Sequence, residues 1–251
     1  MKVLGIESTA HTLGIGIVDE DEVHANVKDM FEPDEGGIHP RKAAEHHYQH
    51  ALEKLNEAKQ KSDFRMGEID AIAFSQGPGL PQCLDVGAVM ARSLANKHDI
   101  PMIGVNHCLA HISIGTRTTE ATNPTTLYVS GGNSQILDLR NQRYRVVGET
   151  QDIALGNALD KLARKLGYPH PGGPEIEKLA EQTDEILEAS YPIKGMDFSF
   201  SGLVTEMQRK IGQESDEIIA NTFQETAYAI CVEALERSMA LFFSVIFSPA
   251  C

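Results

Sequence analysis

The chain has 251 residues, with 22 Lys and Arg against 36 Asp and Glu, a formal net charge of −14. Hydrophobic residues make up 41% and charged residues 23%, a globular mix that excludes a disordered, collagen-like or disulfide-stapled chain. The charge excludes a protein that holds nucleic acid by its own field, because phosphate binding needs clustered Lys and Arg; a nucleic-acid substrate delivered by a basic partner stays open.

No stretch reaches the ~18 apolar residues of a membrane helix. Met1-Lys2-Val3-Leu4-Gly5-Ile6-Glu7 goes straight into a strand, with a carboxylate where a signal peptide would still be apolar. This predicts a cytoplasmic chain with Cys83, Cys108, Cys231 and Cys251 as reduced thiols; they form no C-x-x-C pair. Val3–Ile6, Leu13–Val18 and Val23–Lys28 read as a meander of three strands, and Leu13–Val18 alternates with period two. The acidic run Asp19–Glu22 reads as a solvated hairpin tip.

A helix is predicted over 41–61, with Ala44, Tyr48, Ala51, Leu52, Leu55 and Ala58 at helical spacing. A buried strand over 71–75, the loop Gln76–Pro81, a helix over 84–97 and a strand over 101–105 follow. Three further strands are predicted at 126–130, 135–139 and 144–149, with Gly131-Gly132-Asn133 turning the first pair. A helix over 153–166 closes on Gly167, Pro174 opens another, and a long helix starts near Asp216, with Ile219, Phe223, Ala227, Ile230, Ala234 and Leu235 on one side.

The order βββα thus occurs twice. Two such ribonuclease-H-like units build the actin-like ATPase (ASKHA) architecture, so the expected fold is α/β with domains at 1–122 and 123–251. In the second half nothing matches the strand–helix–strand that follows the first helix. The end, Met239–Cys251, is apolar, uncharged and β-prone, which reads as an aggregation-prone tail on a second domain lacking its last strands.

His107 and His111 are an i, i+4 pair just after a strand, and on a helix that spacing puts both imidazoles on one face. It offers a divalent metal two nitrogens; two ordinary surface histidines are the competing reading. The glycines of Ser130-Gly131-Gly132 let backbone N–H groups approach an anion, although a plain hairpin turn fits as well. Glu7–Thr12 sits at the equivalent place in the first half, and paired loops of this kind grip a nucleotide in actin-like folds. Asp160 and Glu177 could accept hydrogen bonds from ribose hydroxyls, or be solvated helix carboxylates. His39, His46, His47 and His50 form a second cluster, read as surface histidines of an amphipathic helix.

Several segments resemble one family. They are Gly5–Thr12, Gly36-Gly37-Ile38-His39-Pro40, Ser75-Gln76-Gly77-Pro78-Gly79, Val105–His111, Tyr128–Asn133, Gly148-Glu149-Thr150, Gly172-Gly173-Pro174 and Phe198–Gly202. Their order and spacing are similar to the archaeal and eukaryotic branch of the TsaD family, the tRNA threonylcarbamoyladenosine transferases of the KEOPS complex. The resemblance implies transfer of threonylcarbamoyl from threonylcarbamoyl-AMP to N6 of the adenosine 3′ of the anticodon, in tRNAs reading ANN codons. It implies one iron or zinc ion on His107, His111 and Tyr128. Val129, Ser130, Gly131 and Gly132 would meet the phosphate and carbamoyl end, and Asp160, Gly173 and Glu177 the nucleoside. The KEOPS kinase, dimerisation and regulatory subunits would be partners, with no membrane involved.

The sequence departs from the family after about residue 240. The G-G-V-A-x-N loop and the D-N-x-x-M aspartate that complete the pocket and the metal site have no match. Asp85 also stands where the family usually has a basic residue. Two other function classes stay open: an actin-like ATP- or ADP-binding module, and an inactive scaffold subunit.

Overall fold

The structure, a computed structural model, describes residues 1–33 and 38–246, with side chains described up to residue 241. Gly36 and Gly37 of the histidine-bearing motif and residues 247–251 of the apolar tail lie outside the described residues. The chain divides into two compact units, Met1–Ile114 and Gly115–Cys251.

The first unit is built on a five-stranded sheet. Its strands are β1 (Val3–Glu7), β2 (Thr12–Val18), β3 (Val23–Met30), β4 (Ala71–Gly77) and β5 (Met102–Asn106), in the order β3-β2-β1-β4-β5. The first three are antiparallel neighbours, whereas β4 and β5 join in parallel. The period-two pattern decides which side chains point inward: Leu13, Ile15 and Ile17 of β2 are buried, as are Leu4 and Ile6 of β1. Helices α1 (Pro40–Ser62) and α2 (Pro81–His98) cover this face with Leu55, Ala58, Ala91 and Ala95. Helix α3 (His107–Thr118) begins directly at the end of β5.

Helix α1 corrects one expectation. Ala51, Leu55 and Ala58 are buried as expected, but Tyr48 and Leu52 are 78% and 73% exposed. The buried stripe is Ala43, His47, Ala51, Leu55, Ala58 and Ser62. A histidine replaces an aliphatic residue there because its Nε2 finds the Ala10 carbonyl at 2.8 Å. The i, i+4 rhythm was right and the face was rotated.

The second unit repeats the βββα order with β6 (Thr126–Val129), β7 (Ser134–Arg140), β8 (Arg143–Glu149) and α4 (Leu155–Leu166). Gly167 ends α4 in the left-handed region, with φ +91°. Then come α5 (Gly172–Ala180), a short hairpin of β9 (Ile193–Lys194) and β10 (Asp197–Phe198), α6 (Ser201–Lys210) and α7 (Asp216–Ile246). Phe198, Phe200 and Phe223 are fully buried with Ile136, Leu162, Ile176 and Leu203. Ile219, Phe223, Ala227, Ile230 and Ala234 of α7 are buried as the periodicity requires. The segment from Met239 was expected to be β-prone; as far as Ile246 it continues α7 as helix. Among the described residues the second sheet has three strands. Cys83, Cys108 and Cys231 are free thiols, and no helix among the described residues is long and apolar enough to cross a membrane.

Helix α6 takes its N-terminal cap from outside its own neighbourhood. The Asp152 carboxylate accepts the N–H groups of Phe200 at 2.9 Å, Ser201 at 3.0 Å and Ile153 at 2.6 Å. Burial works to raise its pKa, but these hydrogen bonds outweigh it and hold the group below the usual carboxylate range. Asp152→Ala is expected to destabilise the chain by about 1–2 kcal/mol at pH 7, the scale of a lost helix cap. A lowered carboxylate contributes stability above its unfolded pKa, about 3.9, and loses it as pH falls through the lower folded value. Urea melts should therefore show the two proteins converging below about pH 4.

Candidate functional site

Strand β1 delivers Glu7 to the end of the first sheet, beside the start of α3. Asn106 caps α3 by accepting the Leu109 N–H at 3.1 Å. The helix then stacks His107 and His111 one turn apart, with ring centroids 4.6 Å apart and planes at 90°. His107 Nδ1 lies 3.2 Å from Glu7 Oε2 and 3.4 Å from the Thr9 hydroxyl. Glu7 is held in turn: its Oε1 accepts the Thr9 N–H at 2.7 Å.

Burial alone would raise the Glu7 pKa, but the bonds from His107 and Thr9 outweigh it and the group is lowered, so it stays a carboxylate. A carboxylate only accepts, so His107 carries its proton on Nδ1 and donates it to Glu7. Nε2 is the ring nitrogen that this contact leaves facing away from Glu7. Burial, then the neighbouring His107, lowers the His111 pKa, with Glu7 opposing; His111 is neutral at physiological pH. Two imidazoles one helical turn apart, one oriented by a carboxylate, suit a divalent metal ion.

The loop between β1 and β2 does not behave as its counterpart in the second unit does. The Ser8 N–H is used by Ser75 Oγ at 3.1 Å and the Thr9 N–H by Glu7. Ser8 and Thr9 are buried, packed where Gly87 and Gly79 allow close approach; a Cβ on Gly87 would stand 2.2 Å from Ser8 Oγ. The expected pairing of two anion-gripping loops is thus modified: this loop fixes Glu7.

The second-unit loop is open. Ser130 donates its N–H to the Asn133 carbonyl at 2.7 Å and accepts the Asn133 N–H on Oγ at 3.0 Å. Gly131 and Gly132 are exposed, and a Cβ on either would meet nothing within 4 Å. The start of α4 is fastened beneath the loop, with the N–H groups of Gly156 and Asn157 donating to the carbonyls of Ser130 and Gly131 at 3.2 Å. Gly156 is required there, since a Cβ would lie 2.7 Å from both Ser130 O and Gly131 Cα. Tyr128 is buried on β6 and pairs with Gln135, while Val129 is exposed. Asp160 is already engaged: Oδ1 accepts the Gly172 N–H at 2.7 Å and Oδ2 lies 3.4 Å from His170 Nδ1. That draws Gly173 to the Asp160 side of α4. Glu177 is exposed on α5. His107 and His111 belong to the first unit; Tyr128, Asp160, Gly173 and Glu177 belong to the second.

Of the histidines expected at the surface, His39 is exposed and His46 and His50 are partly exposed, but His47 is not a surface group. His47 is fully buried, and His46 is 19% exposed with Nε2 2.9 Å from Asp29 Oδ1. Asp29, His46 and His50 each offer a donor atom, all within 4.8 Å of one another. Two features here escaped sequence reading. Glu7 and Thr9 were quoted only as part of a loop; a carboxylate closing an apolar strand was the available signal. Asp29 gave none, because its partners are some twenty residues away on another element.

The profile of TsaD, tRNA N6-adenosine threonylcarbamoyltransferase, matches residues 21–244. The chain belongs to the TsaD family. A Thermococcus sibiricus tRNA N6-adenosine threonylcarbamoyltransferase is 52% identical over 242 residues, which is 96% of this chain and 74% of the relative. A probable bifunctional tRNA threonylcarbamoyladenosine biosynthesis protein of Methanosarcina acetivorans is 50% identical over 95% of this chain and 44% of its own length. Among solved structures, Thermococcus kodakarensis HypF superposes with a TM-score of 0.61 over 95% of this chain and 40% of that one, at 14% identity, a likeness of fold. Within this TsaD chain the Nδ1–H tautomer of His107 is directly testable. Imidazole 15N correlation spectra should place the His107 proton on Nδ1, and Glu7→Ala should let the ring populate both tautomers.

Proposed function

We propose that this chain transfers the threonylcarbamoyl group of threonylcarbamoyl-AMP to the N6-amino group of the adenosine 3′ of the anticodon, in tRNAs reading ANN codons. The observation that supports the reading is the His107–His111 pair of a TsaD-family chain, with Glu7 orienting the His107 ring through Nδ1. His107 and His111 would hold one iron or zinc ion. When bound, the ion supplies a Lewis acid for the carbamoyl oxygen.

The chain's own groups account for the rest. The open N–H groups of Gly131 and Gly132, with Ser130 and Val129, suit the phosphate and carbamoyl end of the donor. Asp160 and Glu177 suit the nucleoside hydroxyls; each Asp160 oxygen keeps a lone pair beyond its present bond. Gly173, with only Leu159 near a notional Cβ at 3.9 Å, leaves room beside them. The N6 amine attacks the carbamoyl carbon, the bond to the phosphate oxygen breaks, AMP leaves and the amine loses one proton. AMP is a good leaving group, so no side chain need act as a covalent nucleophile. ATP or ADP in the same place is the corresponding binding-module reading.

With a net charge of −14, tRNA would be held by the KEOPS kinase, dimerisation and regulatory subunits rather than by this chain alone. The reading carries with it a cytoplasmic place of action. The test is transfer of labelled threonylcarbamoyl to tRNA by this chain together with the partner subunits. His107→Ala is expected to cut the rate by about 10²–10³-fold, the scale of losing stabilisation of a developing oxyanion. Equal transfer by wild type and a His107→Ala, His111→Ala protein would leave a scaffold role and overturn the reading.

A further inference from the structure

A second cluster of ligating side chains lies in the first unit, on the edge strand of its sheet and away from α3. Asp29 is near the end of β3, and His46 and His50 stand one turn apart on α1, with ring centroids 4.2 Å apart and planes inclined by 38°. His46 Nε2 and Asp29 Oδ1 are separated by 2.9 Å. That contact is a hydrogen bond between the two groups, and an ion would take the place of its proton between the same two donor atoms. His50 Nδ1 lies 2.8 Å from the His46 backbone carbonyl. A carbonyl only accepts, so Nδ1 is a donor and Nε2 is the ring nitrogen that the backbone does not engage. This is the backbone contact that orients a metal-binding histidine.

The other oxygen of the carboxylate is held separately. Lys54 Nζ is 3.3 Å from Asp29 Oδ2 and also meets Glu57 at 3.1 Å and Glu53 at 3.6 Å. The ammonium is shared among three carboxylates, so the local charge stays negative and the approach of a cation is favoured. Asp29 and His46 are 21% and 19% exposed, which leaves an open side for entry and for water ligands.

We infer that Asp29, His46 and His50 form a second metal site, taking a zinc-class divalent ion on two imidazole nitrogens and one carboxylate oxygen. Two nitrogens in the set select zinc, cobalt or nickel over magnesium and calcium, which prefer all-oxygen sites. The site has a mechanical neighbour: His47, next to His46, holds the Ala10 carbonyl of the loop that fixes Glu7. An ion here would pin α1, β3 and that loop together.

The experiment is cobalt(II) titration of the chelator-stripped full chain, read by its visible absorption. Wild type and a His107→Ala, His111→Ala protein should both retain one equivalent at the proposed site. Asp29→Asn and His50→Gln, introduced into the His107→Ala, His111→Ala protein, should each weaken that equivalent by at least about tenfold. His50→Gln changes a half-exposed position, so its circular dichroism and melt should match the parent. Cobalt binding that disappears with His107 and His111, or that survives His50→Gln and Asp29→Asn unchanged, would overturn the inference.

Discussion

Strand β1 sits between an antiparallel neighbour, β2, and a parallel one, β4, so its register is fixed on both sides. Side chains alternate along it, and a slip of one residue would turn Leu4 and Ile6 out of the core and Glu7 off its present face. The position of Glu7 is therefore a property of the whole sheet. His107 inherits that position through a single hydrogen bond, and β5, which launches α3, is registered to β1 through β4. The functional edge of the first unit is an extrapolation of its most constrained strand.

The two βββα units put the same topology to different uses. After β1 the chain buries Ser8 and Thr9 under α2 and commits their N–H groups to Ser75 and Glu7, which produces rigidity. After β6 it exposes Gly131 and Gly132 and fastens them from below by the start of α4, which produces a held but open backbone. In both cases a helix glycine permits the approach: Gly87 over Ser8, and Gly156 over Ser130.

Much of this was legible in the sequence. Period-two alternation located β2, and the 3.6-residue rhythm located α7 and its buried face, because one side of each element is packed along its whole length. The His107–His111 spacing was legible because both imidazoles lie on one helix. What failed had a common cause. The face of α1 was misread because His47 is buried by a hydrogen bond that only the fold supplies. The hairpin of β9 and β10 and helix α6 were missed because each is short and held by distant groups. Asp29 and Asp152 carried no signal because their partners are remote in the chain.

That remoteness has an outcome for how the second unit assembles. Helix α6 is ten residues long, below the length at which a helix persists in water by itself. Its first turn is closed by a carboxylate 48 residues earlier, so closing it means first closing a loop of that size. The Gln151 N–H also donates to the Phe198 carbonyl at 2.8 Å, so the entry to α4 is fastened to the segment before α6 by backbone as well as by the Asp152 carboxylate. Hydrogen exchange at Phe200 and Ser201 would then report opening of the α4 entry as much as of α6 itself, binding the two into one cooperative block.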